Sequence, residues 1–335
     1  MSVSNRPRVA IIGTGGTISS RGEGPLEIAT YMRHGDVMQV HELLALVPEL
    51  NEVADIEPVP FANLPSTAIG PVQWAALGAA IEAVANGPNP PAGIVVTHGT
   101  ATLEETAYAL HLTLKVDIPV VLVGAQRPAT GLSTGAFMNL VGAVRTAGSP
   151  AARGMGVLAC LNDEIHSARE VTKTSTLRLQ TFRSPDFGLL GHADADGSVF
   201  YRRPLRAHTQ ATPFTVSMWT QVPRVDIVYS YAGGDGEPIR ALFALDPKGL
   251  VSAAFAPGLP SPGERAAFQE ASERGIVIAQ STRAGSGRVV EVPGHRAPTA
   301  VPADNLNPQK ARVLLLLALA AGGDVEAIRQ MFLTY

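Results

Sequence analysis

The chain has 335 residues, 46% hydrophobic and 16% charged, enough for about two domains with real cores. A formal net charge of −3 gives no electrostatic pull toward nucleic acid or an anionic membrane. The single cysteine, Cys160, excludes an internal disulfide framework, and its setting in VLACL marks a buried structural thiol. The stretch MSVSNRPRVAIIG carries too short an apolar run for a signal-peptide core. Val313 to Ala321 falls well short of a membrane span and reads as a buried core or interface helix, so the expected location is the cytoplasm.

Taken in chain order, VAIIG (9–13), GIVVT (93–97), PVVLVG (119–124) and GVLACL (156–161) read as buried strands of a parallel sheet. Between them, Pro71 opens a helix with Trp74, Leu77, Ile81 and Val84 on one face, and further helices cover about 103–114 and 135–147. This βαβα order predicts a doubly wound α/β domain with right-handed crossovers over 1–190. From 191 to 213 the chain turns polar and carries Pro204 and Pro213, which predicts a linker lying against the larger domain. A smaller α/β domain over 214–335 follows. Its strands are expected at 225–230, 249–255 and 275–281, and its helices near 237–245, from Gly263, at 308–321 and at 324–333.

Ligands of open α/β sheets bind at the carboxyl ends of strands. Two such ends are unusual here: GTGGTIS (13–19) and THGTATLEETA (97–107) set threonines among glycines, where backbone amides can approach a bound group. GTGGT is not a dinucleotide fingerprint, because Ile18 stands at the third glycine position, and no P-loop lysine follows. Spacing alone leaves a tight structural turn and a functional site equally open. Glu104 and Glu105 fit the first turn of the following helix on macrodipole grounds, and Thr100 or Thr102 fits its N-cap. His98 reads as a residue that positions the turn, Arg202-Arg203 as a solvated or domain-docking pair, and Asn307-Pro308 as an N-cap with a first-turn proline.

GTGGTIS, THGTATLEETAYAL, VGAQRP, REVTKTST and LNPQKARVLL, in that order, resemble blocks of the bacterial L-asparaginase/glutaminase family, a likeness running from about Arg8 to Tyr335. The resemblance implies a larger N-terminal and a smaller C-terminal α/β domain, a homotetramer with sites closed by a neighbouring subunit, and a small-molecule amide substrate. It makes Thr14 the nucleophile, Thr100 and Lys173 a second catalytic pair, and Tyr31 the loop tyrosine beside the nucleophile. The chemistry is coherent. A threonine hydroxyl needs a base, and attack on an amide carbon creates an oxyanion that exposed backbone amides can stabilise. Ammonia then leaves, and water releases the acid from an acyl-enzyme. No cofactor is expected, and the eight histidines show no metal-ligand spacing.

The substrate-binding positions implied are Ser66, Thr67, Gly99, Ala101 and Glu291, and several depart from the family. Ala101 stands where the family has an aspartate that grips the substrate's α-amino group and neighbours the lysine. Ser66-Thr67 replaces a Ser-Gln pair, Pro257 falls where a C-terminal-domain asparagine is expected, and Glu291 is the position of a glutamate reaching in from the neighbouring subunit. A hydrogen bond to a charged group contributes roughly 1.5–3 kcal/mol, so losing the carboxylate should weaken recognition of an α-amino acid about ten- to hundredfold. It should also lower the pKa of Lys173. Ala101 alone fits an engineered replacement in an ordinary asparaginase. Together with Thr67 and Pro257 it fits a pocket for an amide lacking the α-amino group. The alternatives from other classes are a non-catalytic small-molecule sensor on the same scaffold and a nucleotide-binding oxidoreductase, the latter resting on sheet topology alone.

Overall fold

The computed structural model describes residues 6–31, 35–292 and 297–335. The chain divides into two compact units, Met1–Val216 and Ser217–Tyr335. In the first, the elements are β1 (Arg8–Gly13), α1 (Val40–Ala45), α2 (Leu50–Val53), β2 (Asp55–Pro60), α3 (Pro71–Ala85), β3 (Gly93–Thr97), α4 (Leu103–Thr113), β4 (Val120–Val123), α5 (Ala136–Gly148), β5 (Val157–Leu161), β6 (Glu164–Ser167), β7 (Thr172–Lys173), β8 (Phe182–Arg183), β9 (Gly191–Asp194) and β10 (Gly197–Phe200).

Eight of these strands form one sheet in the order β10-β9-β6-β5-β4-β3-β1-β2. The five strands from β5 to β2 run parallel, and β6, β9 and β10 extend the sheet antiparallel. The continuous apolar runs follow from burial on both faces. Along β1, Val9 and Ile11 enter a core with Val95, Val121, Leu140 and Val144, while Ala10 and Ile12 enter the opposite core with Ile94, Val96, Leu77 and Ile81. Each such aliphatic side chain contributes roughly 1.5–3 kcal/mol when fully buried. Trp74, fully buried on α3, ties that helix to α4 by donating its indole N–H to the Thr106 hydroxyl at 3.0 Å.

The polar stretch read as a linker over 191–213 instead begins with β9 and β10, a hairpin paired onto β6 in the first unit's sheet. These are four-residue strands at an antiparallel sheet edge, where a polar sequence is tolerated because one side meets water. Arg202 is likewise not a solvated charge. It grips Glu170 at 2.5 Å and donates to the Leu189 carbonyl at 2.9 Å.

The second unit contains β11 (Val225–Tyr229), α6 (Glu237–Leu242), β12 (Gly249–Ala254), α7 (Pro262–Glu273), β13 (Val277–Thr282), β14 (Ala300–Pro302), α8 (Pro308–Ala320) and α9 (Val325–Thr334). Its four strands pair parallel in the order β11-β12-β13-β14. The Asn307 side chain caps α8 by accepting from the Lys310 amide at 3.1 Å, and Pro308 opens the helix as expected. Residues Val313–Ala318 of α8 are buried. Among the described residues no helix is long and apolar enough to cross a membrane. Cys160 is buried in β5, where desolvation raises its thiol pKa to about 12.

Candidate active site

In the first unit the chain leaves β1 to build β2 on one side, then returns to build β3 on the other. The strand order therefore reverses between β1 and β3, the position where open α/β sheets form their binding crevice. The turns after these two strands are GTGGT and THGTA, and they meet through bare backbone. Gly15 and Gly16 adopt φ of 92° and 86°, and a Cβ on Gly16 would lie 2.4 Å from both the nitrogen and the Cα of Gly99. Such an approach requires glycine.

Thr14 sits at this junction, 1% exposed. Both its amide, at 3.2 Å, and its hydroxyl, at 2.8 Å, donate to the Thr97 carbonyl at the end of β3. Its own carbonyl accepts from the Leu64 amide at 3.0 Å, so main chain fixes the residue on both sides. Among the described residues the Thr14 hydroxyl has no side-chain partner. The GTGGT turn thus seats Thr14 through main chain, and among the described residues no basic side chain is hydrogen-bonded to the Thr14 hydroxyl.

The THGTA turn is built differently. The Lys173 ammonium, at the end of the short strand β7, donates to the Thr100 hydroxyl at 2.8 Å and to Gln126 Oε1 at 3.0 Å, and Thr100 itself donates to Gln126 Oε1 at 3.0 Å. Desolvation pushes the Lys173 pKa below the usual lysine range, with the charge of Glu104 in the first turn of α4 pulling partly the other way. A lysine so placed can surrender its proton and act as a base. Fully buried His98 holds the turn, its Nδ1 lying 2.7 Å from the Gly99 carbonyl, and desolvation lowers its pKa to about 4. It is neutral at ordinary pH. Thr102 occupies the N-cap position of α4 but spends its hydroxyl on the Ser66 carbonyl at 2.7 Å, which anchors the short Ser66–Ala68 turn to the site.

Of the site residues expected from sequence, the structure joins Thr100 directly to Lys173 and places Gly99 against Gly16. The Tyr31 phenol lies 2.7 Å from the Thr17 hydroxyl, which gives the tyrosine a partner three residues beyond Thr14. Ser66 is buried beside Gly99, where a Cβ on the glycine would come 2.7 Å from the serine hydroxyl. Thr67 and Ala101 are exposed. Pro257 and Glu291 belong to the second unit, where Pro257 lies in the connection from β12 to α7 and Glu291 has an exposed side chain 3.7 Å from the Arg329 guanidinium. Sequence reasoning missed Gln126 and Thr17, and it treated Glu104 as a helix-terminal charge only. The available signal for Gln126 was its place in the VGAQRP block, three residues past the apolar strand VVLV.

The fold and the site define a hydroxyl–lysine centre at the switch point of a two-unit α/β enzyme. The family model for the asparaginase N-terminal domain matches residues 8–206, and that for the glutaminase/asparaginase C-terminal domain matches residues 224–332. The chain is 38% identical to L-asparaginase 2 of Bacillus subtilis strain 168, over 98% of this chain and 87% of that protein. It is also 38% identical to L-asparaginase 2 of Escherichia coli K12, over 98% and 93%. The crystal structure of a probable cytoplasmic L-asparaginase from Campylobacter jejuni superposes with a TM-score of 0.93 at 38% identity, covering 98% of this chain and 100% of that one. A probable periplasmic L-asparaginase of Haemophilus influenzae is 37% identical over 99% of this chain and 94% of its own. The chain belongs to the asparaginase family and is an asparaginase-type amidohydrolase.

Proposed function

We propose that the protein cleaves a small carboxamide through an acyl-enzyme on Thr14 and releases ammonia. The Thr14 oxygen attacks the amide carbon, its proton passes to the lysine side of the site, and the C–N bond breaks as the nitrogen leaves protonated. Water then attacks the ester carbon, regenerating the threonine and freeing the acid. Backbone amides of the two glycine turns supply donors for the oxyanion. Lys173 acts as base through Thr100, and Tyr31, paired with Thr17, flanks the nucleophile. The observation that carries this reading is the 2.8 Å contact between Lys173 and Thr100, made by a lysine whose burial favours its neutral form.

The substrate is L-asparagine or a related amide without the α-amino group. Ala101 offers no carboxylate to an ammonium, which supports the second class. Ammonia release from L-asparagine, succinamate and other small amides tests this. Succinamate should exceed L-asparagine in kcat/KM by about tenfold or more, whereas full turnover of L-asparagine at low concentration contradicts the altered pocket.

One observation favours a second reading of the nucleophile. Lys173 bonds to Thr100, while Thr14 donates to a main-chain carbonyl. In that reading Thr100 takes the acyl group and Thr14 positions the carbonyl. The two differ in which threonine is esterified during turnover. We also infer a cytoplasmic homotetramer with sites shared between subunits, in line with the family resemblance and the name of the Campylobacter jejuni relative. Cell fractionation and light scattering test both points.

A further inference from the structure

Gln126 lies just past β4, 9% exposed, and its two ends do different work. Its Nε2 donates to the main-chain carbonyls of Thr176 at 3.3 Å and Arg178 at 3.2 Å. Those carbonyls belong to the connection between β7 and β8, the hairpin that carries Lys173. The two contacts fix which way the amide faces, because turning it over would set its oxygen against two carbonyls and its NH2 against an ammonium. Oε1 is therefore presented to Lys173 and Thr100 together, at 3.0 Å from each.

We propose that Gln126 is a positioning residue that holds Lys173 against Thr100 with an uncharged acceptor, through both its direct bonds and its grip on the β7–β8 connection. The proposal rests on the reading of Lys173 as the base. A carbonyl-type oxygen has two lone pairs, so Oε1 accepts from the lysine and the threonine at once, and the pair stays in contact whichever of them holds the proton. A carboxylate at the same place would give equal geometry but would stabilise the ammonium and raise its pKa by about 1–3 units. The glutamine keeps the geometry and omits the charge. The other groups around Lys173 agree with this. Thr100 is neutral, Phe182 is its register partner across the hairpin, and Glu104 in the first turn of α4 is the charged group acting on it. Ala101, next to Thr100, adds no charge.

The test compares wild type, Gln126→Met and Gln126→Glu, measuring kcat and KM for L-asparagine and succinamate from about pH 5 to pH 10. Gln126→Met should lower kcat about tenfold or more with KM changed less than about threefold, because the lysine loses its guide while the substrate contacts remain. Gln126→Glu should move the acid limb of kcat upward by about one to three pH units and recover toward wild-type kcat above it. An acid limb that stays in place in Gln126→Glu, or a wild-type kcat in Gln126→Met, overturns the proposal. Should the variants unfold, the wild type still answers. The pH dependence of Lys173 acetylation by acetic anhydride, read by mass spectrometry, should titrate below the ordinary lysine range, and titration at or above that range overturns the proposal. Thr14→Ala and Lys173→Met, assayed alongside, separate the two levels. Inactive controls with indifferent Gln126 variants sink the Gln126 assignment alone, whereas active controls sink the proposed mechanism itself.

Discussion

The two turns that meet at the switch point are held by opposite means. After β1, main chain secures Thr14: its amide and hydroxyl share the Thr97 carbonyl, and two glycines with positive φ allow the backbone contact with Gly99. After β3, side chains secure Thr100, through a triangle with Lys173 and Gln126 whose edges are 2.8, 3.0 and 3.0 Å. The first arrangement fixes a position and tolerates no added atom. The second, in the proposed mechanism, manages a proton. The proposed mechanism needs both, and they reside on adjacent strand ends that touch at Gly16 and Gly99.

Removing the proton-handling side should cost most. Lys173→Met should reduce ammonia release by about a thousandfold or more while leaving the thermal midpoint near wild type, because the lysine is only partly buried. The seat is attacked by Gly16→Ala, whose methyl would meet Gly99 backbone at 2.4 Å in a left-handed conformation. Denaturant melts should show a loss of about 2–4 kcal/mol, and kcat should fall with it. A near-neutral result would mean that the turns are looser than the geometry requires.

His98 sharpens the comparison through pH. Its folded pKa of about 4 lies below the ordinary value of 6.5, so the unfolded chain binds the extra proton first as pH falls. Between about pH 6.5 and 4 the folded state should lose up to roughly 3 kcal/mol on this account, with full stability retained above that window. Denaturation midpoints of wild type and His98→Gln across the window check it, and parallel curves would contradict the assignment. The smallest effect belongs to Tyr31→Phe. It removes the 2.7 Å contact with Thr17 and should lower kcat about tenfold with little change in stability.

The parallel part of the sheet was legible because β1, β3, β4 and β5 are buried on both faces and read as unbroken apolar runs. β2 was not, since DIEPVP lies at the sheet edge with two prolines and little burial. The hairpins β7–β8 and β9–β10 escaped because strands of two to four residues are too short to carry a periodicity. The site divides the same way. Thr14, Thr100 and Lys173 stood in recognisable blocks, and the structure gives the Thr100–Lys173 contact directly. Gln126 depends on tertiary pairing between the loop after β4 and the hairpin carrying the lysine, a juxtaposition 47 residues apart in the chain. The VGAQRP block marked the segment, but no local pattern encodes that pairing.

Which threonine receives the acyl group decides the whole account. A single turnover with excess enzyme over succinamate or L-asparagine, quenched in acid and mapped by peptide mass spectrometry, reads it directly. The proposed mechanism predicts an ester on the peptide containing Thr14, absent in Thr14→Ala and accumulating when water attack is slowed. An ester on Thr100 instead, or hydrolysis at wild-type rate by Thr14→Ala, would contradict it.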